Sequence, residues 1–176
     1  LCKTDSKWNV VSLRYYNPIG AHPSGLLGDN PKSPSNIIPI IIRSIKNKQP
    51  FTVLGNTYPT KDGTPERDYI HVVDLASAHV VALEYHSKSF SANYNTYNVG
   101  IGQTLSVFDI IKLIENETKL EVNYVIGNRR PEDVPVCYAD NTKIKKELNW
   151  KPQYGIQDAI HHIYKSLESP KIHNLS

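Results

Sequence analysis

Three stretches of the chain carry residue types suited to gripping an anion. The first runs Asp62-Gly-Thr-Pro-Glu-Arg-Asp-Tyr-Ile-His-Val-Val-Asp74. Asp62-Gly63 is a strong turn signal, and Pro65 forbids a helix immediately before Arg67. The β-rich run over 69–73 predicts extended backbone, and Asp74 is placed to cap a helix over 75–85. Arg67 is thereby delivered on a rigid corner at the edge of a core segment, where a phosphate clamp belongs. The competing reading is an ordinary ion pair with Glu66 or Asp68. The second stretch is Arg129-Arg-Pro-Glu-Asp133. Two arginines fixed by proline can offer a forked set of donors to a phosphate, and Asp133 can accept from a sugar hydroxyl. Alone, that pentapeptide would read as a solvated charged loop. The third is Asn36-Ile-Ile-Pro39, a helix start whose exposed amides make a natural anion site. Three such elements together favour a diphosphate ligand.

Other candidate chemistry is weaker. Gly100-Ile-Gly-Gln-Thr-Leu105 imitates a dinucleotide fingerprint, but leucine replaces the third glycine and no acidic ribose partner follows. It reads as a turn. None of the eleven tyrosines has a lysine four residues on, so no tyrosine–lysine acid–base pair is present. The seven histidines are scattered, and the adjacent His161 and His162 point to different faces of a helix. No metal-ligand spacing emerges. His71 reads as a satisfied core or hinge histidine, and no nucleophile has an obvious base.

These residues must be carried by a folded scaffold, and 176 residues with 39% hydrophobic and 21% charged content suffice for one domain with a real core. No apolar run approaches ~18 residues, which excludes a membrane-spanning helix. The net charge of +3 is small and its lysines are dispersed, which argues against nucleic acid and suits a small anion. Two distant cysteines, Cys2 and Cys137, favour a reducing, cytoplasmic setting. The glycosylation-type triplets at Asn116 and Asn174 read as chance. The sequence contains no methionine and opens Leu-Cys-Lys-Thr, so it is expected to be the back part of a longer polypeptide.

Residues 10–16 predict a buried strand of a parallel sheet, which Asn17-Pro-Ile-Gly20 leaves abruptly at its carboxyl end. Ligands bind at such ends in open α/β sheets. Residues 21–34 hold two glycines and three prolines and form a loop. A helix capped by Ser35 or Asn36 reaches about Lys48, and a short strand covers 51–54. Further strands are expected over 97–99 and 122–126. Ser106 caps a helix bearing Val107, Ile110, Ile111 and Ile114 at helical spacing. Asp140 caps a helix over 141–148, and a last helix shows Ile156, Ala159, Ile160, Ile163, Tyr164 and Leu167 on one face. The strand over 10–16 wants neighbours on both sides, and few candidates exist in this chain.

The run Leu13-Arg-Tyr-Tyr-Asn-Pro-Ile-Gly-Ala-His-Pro-Ser-Gly25 closely resembles the UDP-glucose 4-epimerases of the extended short-chain dehydrogenase family. So do Tyr58-Pro-Thr-Lys-Asp-Gly-Thr64, Arg67-Asp-Tyr-Ile-His-Val-Val-Asp-Leu75 and Lys146-Glu-Leu-Asn-Trp150. The likeness covers nearly the whole chain in the family's order. It implies an α/β fold: the last strands of a Rossmann-type NAD domain plus a small mixed α/β substrate-binding lobe. Residues 1–176 would be the carboxyl-terminal UDP-sugar-binding portion. The implied reaction interconverts UDP-galactose and UDP-glucose through a 4-keto intermediate, with NAD taking hydride from C4 and returning it to the other face. Carried over by resemblance, Tyr15 would lie near the nicotinamide. Asn17 and Asn36 would contact phosphate or hexose, and the amide of Ile37 the diphosphate. The backbone at Thr52 and Leu54 would pair with uracil, Arg67 and Arg130 would clamp the diphosphate, and Asp133 would hold the ribose. Cys137 falls where some members carry a tyrosine against the hexose, so a smaller residue implies room for an N-acetyl group. The resemblance further implies a cytoplasmic homodimer. The glycine-rich NAD loop and the catalytic tyrosine and lysine are absent, so no catalytic residue is expected in this chain. The alternatives are a related NAD-dependent dehydratase or decarboxylase, and a UDP-sugar-binding remnant without catalysis.

Overall fold

The computed structural model describes residues 8–28, 34–87 and 93–168; Cys2 and the Asn174 triplet lie outside them. Strand β1 (Asn9–Tyr15) runs parallel to β6 (Asn93–Val99), with Asn9 abreast of Asn93 and Tyr15 of Val99. The strand that seemed to lack partners thus has one in this chain, and that partner is seven residues long rather than the three that the polar run 93–96 suggested. β1 is half-buried to exposed instead of fully buried. β2 (Asn17–Ile19) follows almost at once and pairs parallel with β5 (Tyr69–His71). Asn17-Pro-Ile therefore does not leave as a loop but enters a second ladder. Pro18 is tolerated in this short two-stranded pairing, where its missing N–H breaks no central ladder.

Helix α1 (Ile37–Asn47) buries Ile38, Ile41 and Ile42, one face at i, i+3, i+4. Strand β3 (Phe51–Leu54) is paired parallel with β8 (Tyr124–Gly127); β8 starts two residues later than expected, Val122 being buried ahead of it. Helices α3 (Val107–Thr118) and α5 (Ile156–Glu168) close this half. Ile110, Ile111, Ile114, Ala159, Ile160 and Ile163 meet the α1 isoleucines and Phe51 in one core. Each isoleucine so removed from water stabilises the fold by about 1.5–3 kcal/mol. A second core gathers Ile70, Tyr97 and Val99 against α2 (Val72–Ser87) and α4 (Thr142–Leu148), with Leu75, Ala78, Ile144 and Trp150. Among the described residues no helix is long and apolar enough to cross a membrane.

Helix starts show where local preference is overruled. The extended run stops at His71, and α2 begins at Val72 despite two β-branched residues. The Val73 amide donates to His71 Nδ1 at 3.1 Å, satisfying a helix-terminal donor. Asp74 is not the cap: it is buried inside the helix, and its two carboxylate oxygens accept from the amides of Gln153 and Tyr154, each at 3.0 Å. Ser106 does cap α3, in a reciprocal capping box with Asp109. At α4 the cap position is Asn141, while Asp140 Oδ1 accepts from the Thr142 amide at 3.0 Å. Three two-residue strands had no periodic signature. β4 (Glu66–Arg67) lies between β7 (Leu105–Ser106), antiparallel, and β9 (Val136–Cys137), parallel.

Candidate functional site

A cleft of about 390 Å³ opens where α1 begins, beside β2, β3 and β4. Its lining brings together Asn17, Asn36, Ile37, Thr52, Leu54, Arg67, Arg130 and Asp133, residues spread over more than a hundred positions of sequence. Ile19, Phe51 and Tyr69 supply apolar surface. Burial pushes the Tyr69 phenol up to about 12, against the pull of Arg67. It therefore stays a neutral hydroxyl.

Each polar group is aimed by its element. Asn36 occupies the N-cap of α1 in extended backbone, yet its side chain makes no capping hydrogen bond. The first turn of α1, whose Ile37 lines the cleft, thus has no side-chain cap. Asn17 Nδ2 donates to the Asp68 carbonyl at 2.8 Å, which fixes the amide at the cleft edge. Thr52 and Leu54 are two apart on β3 and share a face. Arg67 is held on β4 between two other strands. Its Nη1 donates to the Glu66 carbonyl at 2.8 Å, and its Nη2 is ion-paired with Asp133 Oδ1. The pair keeps 17% and 25% of its side-chain surface exposed. The ion pair rests on one contact between two side chains at the cleft edge, so a phosphate entering the cleft can compete with Asp133 for the guanidinium.

Neither the Glu66 nor the Asp68 carboxylate is therefore the ion-pair partner of Arg67. The Glu66 carboxylate accepts from Thr104 Oγ1 at 2.7 Å. Asp68 has no exposed surface, and its carboxylate accepts from the amides of Ile101 (3.0 Å), Gly102 (2.9 Å) and Ala139 (3.1 Å). Burial pushes its carboxyl up, and the three amides pull it back only in part. Gly100-Ile-Gly102 is thus a turn wrapped around a carboxylate. A Cβ on Gly100 would stand 2.5 Å from Asp68 Oδ2 and 2.7 Å from the Ala139 Cβ, so no other residue fits. In the sequence the glycine spacing at 100–102 is the local trace of that turn, while its anchor, Asp68, lies more than thirty residues away.

The two arginines after β8 do not act as one fork. Arg130 lines the cleft, whereas Arg129 turns away and lies 4.0 Å over the Tyr58 ring. Two of the expected site residues lie outside the lining. Tyr15 ends β1 and is exposed. Cys137 sits on β9 abreast of Arg67, half-buried and unpaired as a thiol. His71 is a core residue: its Nδ1 accepts from Val73, so Nε2 carries the proton toward His162 Nδ1 at 3.1 Å, and its ring stacks on Tyr154. Among the described residues no three His, Cys, Asp or Glu side chains gather as metal ligands.

Parallel strand pairs backed by helices, with a cleft that gathers two guanidiniums, a helix start and short polar acceptors, define an α/β protein whose cleft carries groups of the types that suit an anion. The model of the NAD dependent epimerase/dehydratase family matches residues 2–100, and the chain belongs to that family. It is 46% identical over 158 residues to the UDP-glucose 4-epimerase of Drosophila melanogaster, which covers 89% of this chain and 45% of that protein. Among solved structures, the UDP-glucose 4-epimerase of Bifidobacterium longum in complex with NAD+ and UDP is 40% identical with a TM-score of 0.86. It covers 93% of this chain and 49% of its own. That of Stenotrophomonas maltophila with bound NAD and formylated UDP-arabinopyranose is 38% identical with a TM-score of 0.88, covering 94% and 49%. The chain therefore spans a little under half the length of the relatives it matches.

Proposed function

We propose that this chain is the UDP-sugar-gripping portion of an NAD-dependent UDP-glucose 4-epimerase, which interconverts UDP-galactose and UDP-glucose. The observation that carries the reading is the convergence of Arg67, Arg130, the α1 start and Asp133 on one cleft, in a chain this similar to proteins of that name. In this reading the first-turn amides of α1 and the two guanidiniums hold the diphosphate. Asp133 releases Arg67 and accepts from the ribose, and the β3 backbone at Thr52 and Leu54 meets the uracil. The grip falls on the nucleotide, which leaves a hexose beyond it able to turn over between hydride removal and return. NAD supplies that redox chemistry when bound. The described residues do not make its pyrophosphate cradle, because the amides of Ile101 and Gly102 are committed to Asp68. Tyr15, exposed at the end of β1, is the residue assigned to the nicotinamide side. A cytoplasmic homodimer belongs to the same reading.

The intact protein, supplied with UDP-galactose and NAD, is expected to yield UDP-glucose. Loss of carbon dioxide or water from the sugar would instead mark a decarboxylase or dehydratase, and no turnover would leave a binding remnant. Cys137, beside Arg67 in the ladder, gives room for an N-acetyl group. UDP-N-acetylglucosamine turnover should accordingly disappear in Cys137→Tyr while UDP-glucose turnover persists; equal N-acetyl activity in the variant refutes that part.

A further inference from the structure

We propose that Tyr58 and Arg129 are positioning residues: a clasp that aims Arg130 and Asp133 into the cleft. The inference deepens the reading of that cleft as a nucleoside-diphosphate site and rests on it for its binding readout. The loop after β8 brings two cleft residues, Arg130 and Asp133, on an otherwise exposed segment. Untethered, such a loop would have to be ordered each time a ligand bound, and that cost would be subtracted from affinity.

The tether is visible in three contacts. The Arg129 guanidinium lies 4.0 Å over the centre of the Tyr58 ring. Its Nη2 donates to the Asp133 carbonyl at 3.2 Å, closing the loop on itself. The Tyr58 hydroxyl reaches toward Asp133 Oδ2 at 3.5 Å. Tyr58 is itself immobilised: it is buried, its amide donates to the Gly63 carbonyl at 2.9 Å, and its carbonyl accepts from Thr60 at 2.8 Å. Gly55 makes the space. Its φ is +92°, and a Cβ there would stand 3.0 Å from the Arg129 Cβ and 3.1 Å from the Tyr58 ring. The turn after β3 is thus shaped around Arg129. With Arg129 drawn to the ring, Arg130 is left to line the cleft. Of two adjacent arginines, one holds protein so that the other can hold ligand.

The test uses the intact protein. Arg129→Met should weaken UDP binding about fivefold, the factor that a cation–π contact of ~1 kcal/mol corresponds to. KM for the UDP-sugar should rise by the same factor with kcat unchanged and Tm lowered by no more than about 4 °C. Arg129→Lys should fall between, because an ammonium can sit over the ring but does not also reproduce the guanidinium's donation to the Asp133 carbonyl. Tyr58→Phe, which keeps the ring but loses the hydroxyl contact to Asp133, should weaken binding less than Arg129→Met does. Wild-type affinity in Arg129→Met overturns the clasp, as does a loss confined to kcat. A second readout needs no nucleotide: NMR order parameters of the amides flanking Pro131 should drop to flexible values, below about 0.6, in Arg129→Met. Rigid values in that variant overturn the proposal. If the wild-type protein does not bind UDP, the nucleotide reading falls, and the order parameters alone decide the clasp.

Discussion

Arg67 and Asp68 are neighbours in sequence and opposites in role. Arg67 lines the cleft, its guanidinium held by one carboxylate and a backbone carbonyl and mostly shielded from water. Asp68 faces the interior, where three backbone amides from two distant segments converge on it. The contrast teaches how two adjacent residues, one ending β4 and the next joining it to β5, can serve opposite ends. A charge satisfied by fixed amides and shut from water is a structural knot, because none of its partners can move without unfolding. A charge satisfied by one side chain at a cleft edge is available, because a phosphate can replace that side chain at little cost. The two are coupled through position alone: the Asp68 knot sets β4 beside β9 and the 100–102 turn, and β4 sets Arg67.

That contrast can be broken at either end. Asp68→Ala should have the largest effect, leaving buried amides unmet and costing about 3–5 kcal/mol of stability, read by urea denaturation. A loss under 1 kcal/mol would erase the distinction. Arg67→Met should behave in reverse: less than about 1 kcal/mol in stability, but about 2–3 kcal/mol in UDP affinity, as expected for truncating one partner of a charge-assisted contact. The smallest effect should come from the facing pair of histidines, His71 and His162. Burial, then the neighbouring imidazole, depresses His71 below its usual 6.5, and burial likewise depresses His162. Between those folded values and 6.5 the unfolded chain binds more protons. Stability is therefore full above about pH 6.5 and declines as pH falls below it. His71→Gln should flatten that slope in thermal melts between pH 7.5 and 5.5.

What the sequence revealed followed from pattern and from short motifs. The i, i+3, i+4 isoleucines of α1 and α3, the Ser106 cap and the turn at Asp62 are local signals, and they were legible. So was the gathering of cleft residues, because their types suit one ligand and their order follows a family likeness. What could not be read were contacts between segments. β4, β7 and β9 are two residues each, too short to show alternation. The Arg67–Asp133 pair joins residues 66 positions apart. Asp74 looked like a cap because caps are local, whereas its partners, Gln153 and Tyr154, lie about 80 residues on. The split of the 129–130 pair depends on Gly55 and Tyr58, which nothing nearby in sequence announces.

The central claim is that the cleft grips a nucleoside through its diphosphate. Calorimetric titration of the intact protein with UDP and with uridine tests it most directly. The account predicts that UDP binds much more tightly than uridine, and that Arg67→Met combined with Arg130→Met, in a protein that still melts cooperatively, removes most of that difference. Equal affinity for UDP and uridine in the wild-type protein, or an undiminished preference for UDP in the double variant, would contradict it.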